Sequence, residues 1–361
     1  MENFSSLPIQ ASQILVDFKS SGLLESMQGP DTLIQRIDNV ENATADSLVF
    51  VSDAEFVQAA LAAMPAAIVT TKKLTEEFTS LSQSAVFICT NVKLAHAKLR
   101  SAYADRDLGQ HEWEQIHPSA VIHESAELAN DVIIAPNAVI GRNVQIGTGS
   151  IIMANSVIEE GVRIGADTVI HPGVVIGYNN EIGNRVIIKA GCTIGMEGFG
   201  FAADKSGKNH RIPQLGKVVI EDDVVFGSSC NVDRATYTET RIGAGCKFDA
   251  LCHIAHNVVI DEDCLIVAQS GVAGTVQIGK RVILSGQTAI SDHVVIGDDV
   301  ILLHRAGVIS DIKTPGAYAG IPTQPLRKYF KNVTVAHQLI ELRKQVQKLE
   351  KKLTSLKEAE K

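Results

Sequence analysis

His256 stands in the stretch CHIAHNVVI, two residues after Ile254, and Gly274 follows it by eighteen residues. An imidazole titrates near working pH and is suited to general-base chemistry. A glycine amide has no side chain in front of it and can donate to a developing oxyanion. His293 lies thirty-seven residues beyond His256 and Ser310 fifty-four. If eighteen residues make one structural repeat, His256, Gly274 and Ser310 share a column, and His293 sits two repeats further and one column over. Base, oxyanion donor and second histidine then fall along one edge, beside Gly307 and Ile309. A straight groove of that kind suits an extended chain substrate. Taken singly, His256 could equally be a structural corner residue; the alignment with Gly274 and His293 is what favours chemistry. His123 and His171 each follow a ladder residue directly and read as surface residues, and His253 reads as structural support.

The eighteen-residue repeat is written in the chain. From Ile116 to Ile194 every sixth residue is aliphatic, thirteen of the fourteen being isoleucine and Leu128 the exception. Two positions before each stands a small or β-branched residue such as Ala120, Val132, Ala138 or Ser150. A period of six fits neither an amphipathic helix nor one alternating strand. It fits a parallel β-helix with one short strand per face and three hexads per coil. The register resumes at Ile220, Phe226 and Val232 and runs from Ile242 to Val308, giving 29 hexads in all. That is about ten coils, or a prism roughly 45 Å long at ~4.8 Å per coil. Each coil needs its neighbours to bury the ladder. General crossover rules alone favour a right-handed turn.

The spacing predicts three parts: a small α/β domain over 1–112, the prism over 113–314 and a helical extension over 315–361. In the first, strand-like runs at Ser47 to Ser52, Ala67 to Thr71 and Ala85 to Thr90 alternate with helix-like stretches. In the last, Leu339, Leu342, Val346, Leu349, Leu353 and Leu356 form a heptad seam beside Arg343, Lys344, Lys348, Lys351, Lys352 and Lys357. Those bases read either as a solvated surface or as a docking site for an acidic partner. The prism is interrupted between Ile194 and Ile220 by GMEGFGFAADKSGKNHRIPQLGK, where glycines flank Phe199 and Phe201. Paired aromatics in so long a loop suggest a flap over a ligand or a neighbouring chain.

A formal net charge of -8 argues against nucleic acid as a general partner. The opening MENFSSLPIQ lacks the basic start and apolar run of a signal peptide, which predicts a cytoplasmic protein. Five of the six cysteines, Cys192, Cys230, Cys246, Cys252 and Cys264, fall two residues before a ladder residue, and Cys89 lies in an apolar run; all read as buried packing thiols.

The hexapeptide prism together with HIAHN resembles the acyl-carrier-protein-dependent acyltransferases of bacterial lipid A synthesis. The stretches EGFGFAAD, RIPQLGKVVIEDDVVFG, NVDRA, IAHNVVI, SGVAG and PGAYAGIPTQPLRKYFKN are similar to the UDP-3-O-(3-hydroxyacyl)glucosamine N-acyltransferase branch over nearly the whole chain. Asn257, where the related O-acyltransferases ordinarily carry Asp, and the leading domain agree with that branch. The resemblance implies a left-handed coil and a homotrimer with active sites in the clefts between prisms. It implies transfer of an (R)-3-hydroxyacyl chain from acyl carrier protein to the 2-amino group of UDP-3-O-acyl-glucosamine, with no cofactor or metal. A related sugar-nucleotide acyltransferase with another acceptor is the alternative within the fold. A lipid product also allows peripheral contact with a membrane.

Carried onto this chain, the resemblance makes His256 the base, Gly274 the oxyanion donor and His293 a second site histidine near the substrate phosphates or acyl carbonyl. Asp249, in KFDALCHIAH, is the candidate to orient His256. Phe50 and Phe56, in LVFVSDAEF, match the aromatic pair that sandwiches uracil, although Asp53, Glu55 and Phe56 stand where Asn, Lys and Tyr are common. Gly307 and Ile309 lie where the family measures acyl length, and a glycine there predicts a long donor. Lys348, Lys351 and Lys352 become candidates to dock the acidic carrier. Two rivals from other classes are a zinc enzyme built on His253, His256 and His293 and a binding solenoid without chemistry.

Overall fold

The computed structural model describes residues 7–106, 108, 114–319 and 326–359. The chain divides into two compact units, residues 1–110 and 111–361. The boundary expected at 112 falls among residues 109–113, outside the described residues, as do the opening residues 1–6 and residues 320–325 of the expected helical extension.

The first unit is a five-stranded sheet in the spatial order Ser26–Gln28, Ala85–Ile88, Ala67–Thr70, Ser47–Val51, Arg36–Ile37. Its last four strands run parallel, and Ser26–Gln28 pairs antiparallel at one edge. The two central strands are buried throughout, AIVT and AVFI, because apolar clusters cover both faces. Helices Ala11–Lys19, Val57–Ala63 and Val92–Tyr103 supply that cover.

In the second unit each regular hexad makes one two-residue strand. The first residue points out and the second in, and partners pair in parallel at a spacing of eighteen, as in Ile133↔Ile151 and Ile134↔Ile152. Three sheets of ten, nine and ten strands result. The first face begins at Val121–Ile122 and ends at Gly307–Val308. The second runs from Glu127–Leu128 to Val295–Ile296, and the third from Ile133–Ile134 to Val300–Leu302. A last strand, Gly316–Tyr318, pairs with Val300–Leu302 and carries the third face past residue 314. This is a left-handed parallel β-helix. Its ladder residues are buried from Ile134 to Val308, Ile134, Ile152, Ile158 and Ile170 completely, and each such isoleucine contributes about 1.5–3 kcal/mol.

Corners are turned by residues with positive φ, among them Asn143, Asn179 and Asn257 between the first and second faces and Asp167, Asp223 and Asp263 between the second and third. Asn and Asp tolerate this region because their side chains bond locally. The small inward position two before the ladder does more than fill space. The Ser150 and Thr168 hydroxyls donate to Gly165 and Gly183 carbonyls at 2.7 and 2.9 Å, and the Cys246 and Cys264 thiols to Asp261 and Gly279 carbonyls at 3.0 Å each. The six cysteines are free and buried, as packing thiols should be.

Both interruptions of the repeat fall at the corner between the first and second faces. The long one leaves after Thr193–Met196, forms an antiparallel hairpin of Phe201–Ala203 with Asn209–Arg211, and re-enters at Lys217–Ile220. The short one separates Asn231–Asp233 from Glu239–Ile242. Asn180, fully buried in a ladder-side position, pins the long excursion at both ends. Its Nδ2 donates to the Ile194 carbonyl at 3.2 Å and its Oδ1 accepts the Val218 amide at 2.7 Å.

A separate helix, Leu326–Ala359, carries the heptad seam. Leu339, Leu342, Val346, Leu349, Leu353 and Leu356 are all exposed on it.

Candidate active site

His256 occupies the interrupted corner, after strand His253–Ile254 and before Val259–Ile260. Its carbonyl accepts the Thr275 amide at 3.0 Å, and the Gly274 carbonyl accepts the His293 amide at 3.1 Å, so the three coils follow one another along one edge. The imidazole lies against Gly274: a methyl group built there would stand 2.7 Å from Cε1 and 2.8 Å from Nε2. On the ring's other side the long insertion brings Gly198, where a methyl group would stand 2.8 Å from His256 Cβ and 3.1 Å from Cδ2. Only glycine allows backbone to come this close on both sides. The Gly274 amide meets no acceptor among the described residues and is free to donate to a ligand.

Asn257 fixes the proton on the ring. Its Oδ1 accepts the Thr236 amide at 3.2 Å and faces His256 Nδ1 at 2.9 Å. An amide N–H can only donate, so the atom it meets is oxygen. That oxygen then requires a proton on Nδ1, which leaves the lone pair on Nε2, beside Gly274. Thr236 Oγ1 donates in turn to Gln214 Oε1 at 2.7 Å, and the Gln214 backbone N–H to Glu197 Oε1 at 3.0 Å. The insertion therefore helps to orient the base through a chain of hydrogen bonds as well as through Gly198.

Beneath this corner lie two adjacent charges. Arg234 is 2% exposed; its Nε, Nη1 and Nη2 donate to the carbonyls of Gly195, Gly216 and Tyr178 at 2.7, 3.1 and 2.8 Å. The guanidinium also lies 3.5 Å from the Tyr178 ring centroid. Burial pulls its pKa down, and Tyr178, Glu159 and Glu197 oppose that pull. Asp233 is buried with Oδ2 3.6 Å from His253 Nε2. Neither residue stands out in the sequence as more than part of NVDRA. The available signal is the step of ten rather than six from Val232 to Ile242, at the same corner as the longer insertion.

Asp249 does not orient His256. It lies at the corner between the third and first faces, and its carboxylate accepts the Ala250 amide at 2.7 Å and the Ala268 amide at 3.3 Å. Seven residues exceed one hexad, so the chain has already turned onto the next edge; Asn257 takes the orienting place. His293 stands exposed on the expected edge at φ 59°. Phe199 and Phe201 pack on each other with ring centroids 4.9 Å apart, and Phe199 remains 83% exposed. Past His253 the outward positions of the first face are Gly271, Ala289 and Gly307, in register. A methyl group at Gly271 or Gly307 would meet nothing within 4 Å, and Ile309 beside this strip is exposed.

In the first unit Phe50 is half-buried, one face stacked on His96 at 4.4 Å between centroids, while Phe56 is exposed. Lys348, Lys351 and Lys352 are exposed on the terminal helix, and the Lys357 side chain lies outside the described residues. Among the described residues no three His, Cys, Asp or Glu side chains converge as metal ligands do. No described helix is long and apolar enough to cross a membrane.

Residues 116–198 match the GMPPB C-terminal domain family and residues 239–274 the bacterial transferase hexapeptide (six repeats) family. A UDP-3-O-acylglucosamine N-acyltransferase of Methylococcus capsulatus is 48% identical over 352 residues, covering 98% of this chain and 99% of its own. One from a Geobacter species is 45% identical over 163 residues, covering 45% and 47%. Among solved structures, an Arabidopsis UDP-N-acetylglucosamine acyltransferase aligns with 57% of this chain and 71% of its own, at 21% identity and a TM-score of 0.47. Hexapeptide coils and a histidine laid against a free glycine amide define an acyltransferase of the hexapeptide-repeat class. Within that class, the near full-length match shows that the chain belongs to the UDP-3-O-acylglucosamine N-acyltransferase family.

Proposed function

We propose that the protein transfers an (R)-3-hydroxyacyl chain from acyl carrier protein to the 2-amino group of UDP-3-O-(3-hydroxyacyl)-glucosamine in the cytoplasm. The observation that carries this is the His256 ring, its Nδ1 proton held by Asn257 and its Nε2 against Gly274, whose amide is free to donate. The amine lone pair attacks the thioester carbonyl carbon, and the oxygen that gains charge takes a hydrogen bond from Gly274. Nε2 removes the proton from the attacking nitrogen. The C–S bond then breaks, and the proton passes from His256 to the departing thiolate, leaving an amide and a free carrier thiol. His293, further along the edge, would contact the phosphates or the acyl carbonyl region.

Gly271, Ala289 and Gly307 offer a track that bears no side chain larger than a methyl group for the alkyl chain, ending beside Ile309. Phe50 and Phe56 would hold the uracil, the exposed Phe56 offering a free face. Phe199 and Phe201 would close over substrate. Lys348, Lys351 and Lys352 would dock the acidic carrier.

The test is transfer to UDP-3-O-acyl-glucosamine from carriers loaded with 3-hydroxyacyl chains of graded length. His256→Ala should abolish turnover while keeping the fold. Gly307→Met should shift preference toward shorter donors; a parent that favours the shortest donor, with no effect of Gly307→Met, would refute the ruler. An inactive parent with every acceptor in a sugar-nucleotide panel would refute the reaction.

A further inference from the structure

Among the described residues Asp233 is the only buried carboxylate, and it is placed at the edge that carries His256. Its Oδ2 lies 3.6 Å from His253 Nε2. The strand paired on its other side, Thr193–Met196, brings no charged side chain. Arg234, next in the chain, has its guanidinium committed to the Tyr178, Gly195 and Gly216 carbonyls. Glu197 is engaged by Arg211 and by the Gln214 amide. The charges that act on Asp233 are therefore those of two imidazoles, His253 and His256: burial holds its carboxyl above the usual carboxylate range, and both rings oppose that push without cancelling it.

The hydrogen-bond partner of His256 Nδ1 is neutral, the Asn257 amide oxygen. When Nε2 accepts a proton, the imidazolium has no anion bonded to it. We propose that Asp233 supplies that anion from the strand paired with His253–Ile254, which leads directly into His256: it is a positioning residue, anchored by His253, whose buried charge stabilises the protonated His256 formed during transfer. A carboxylate removed from water acts more strongly on a nearby cation than one on the surface. The inference rests on the acyl-transfer reading above for its catalytic consequence, while the charge coupling itself is independent of substrate.

The coupling can be read without turnover. Diethyl pyrocarbonate modifies only the neutral imidazole, and peptide mass spectrometry of the intact, folded protein reports each histidine separately. At pH 6, Asp233→Asn should label at His256 roughly threefold faster or more than the parent, because the anion that favours the protonated ring is gone. Asp233→Glu should restore the parent rate, and Asp233→Thr gives the same comparison if the asparagine variant misfolds. With donor and acceptor supplied, Asp233→Asn should lower kcat about tenfold or more, leave both KM values near the parent's and shift the acid limb of the pH–rate profile to lower pH. Equal labelling rates in parent and uncharged variants would overturn the proposal. Faster labelling in a protein that transfers no acyl chain would keep the counter-ion and overturn only the reaction.

Discussion

Two glycines decide where the His256 ring can stand, because Gly274 and Gly198 leave it no room to shift toward either. Gly198→Ala puts a carbon within 3.1 Å of the ring and must displace it. The expected result is a kcat about 10²-fold lower with KM nearly unchanged, since a shift near 1 Å in a catalytic group has that order of effect. Steady-state kinetics checks it, and a Gly198→Ala enzyme as fast as the parent would show that the insertion does not position the base. Gly274→Ala should lose more, as it also crowds the oxyanion donor. At this scale, column arithmetic made His256, Gly274 and His293 legible, because an eighteen-residue repeat converts sequence separation into distance along an edge. The same arithmetic separates Asp249 from His256 by one corner; their closeness in sequence concealed it. Asn257 was visible as a letter of HIAHN, but its role depends on Thr236, which an irregular loop brings from twenty-one residues away.

The insertion is an element held by two bolts, Asn180 at its ends and Arg234 at its base. Arg234 satisfies carbonyls on both sides of the excursion, Gly195 and Gly216, and ties them to Tyr178. Arg234→Met keeps much of the volume and removes all three donors. Leaving buried carbonyls unpaired should destabilise the unit by about 2–4 kcal/mol, measured by chemical denaturation. Activity should fall further than the unfolded fraction accounts for, because Gly198 and Gln214 lose their register against His256. A stability within about 0.5 kcal/mol of the parent, the range of an ordinary surface substitution, would show the guanidinium to be a passenger. The regular coils were legible because each isoleucine answers to one rule of burial. The two interruptions were not, since the hexad rule stops there and inside and outside are decided by long-range hydrogen bonds. A charged Asp-Arg pair would ordinarily be read as surface, and here both are buried.

At the scale of the whole molecule, the prism has unequal faces. Outward positions of the early coils are Val121, Val139, Val157 and Val175 on the first face and Ile133, Ile151, Val169, Ile187 and Val225 on the third. On the second they are Glu127, Gln145, Arg163 and Glu181. Apolar stripes of this length on two faces call for cover, and the homotrimer that the family resemblance implies, with the first face of one prism meeting the third face of the next, would supply it by symmetry. On the proposed reading the basic terminal helix would serve a different partner: charge reversal at Lys348, Lys351 and Lys352 should raise KM for the carrier several-fold, more so at low salt, with KM for the sugar nucleotide unchanged. The trimer itself is tested by Val157→Glu combined with Ile151→Glu, one charge on each apolar face. Both positions point outward, so the ladder beneath them stays intact and the single chain should remain folded. Sedimentation should change from about three chains to one. If the site is completed by a neighbouring prism, the monomer should lose nearly all turnover although His256, Asn257 and Gly274 are untouched. A folded monomer with full activity would mean that one edge of one prism is sufficient, and that Phe199 and Phe201 close over a substrate held by their own chain.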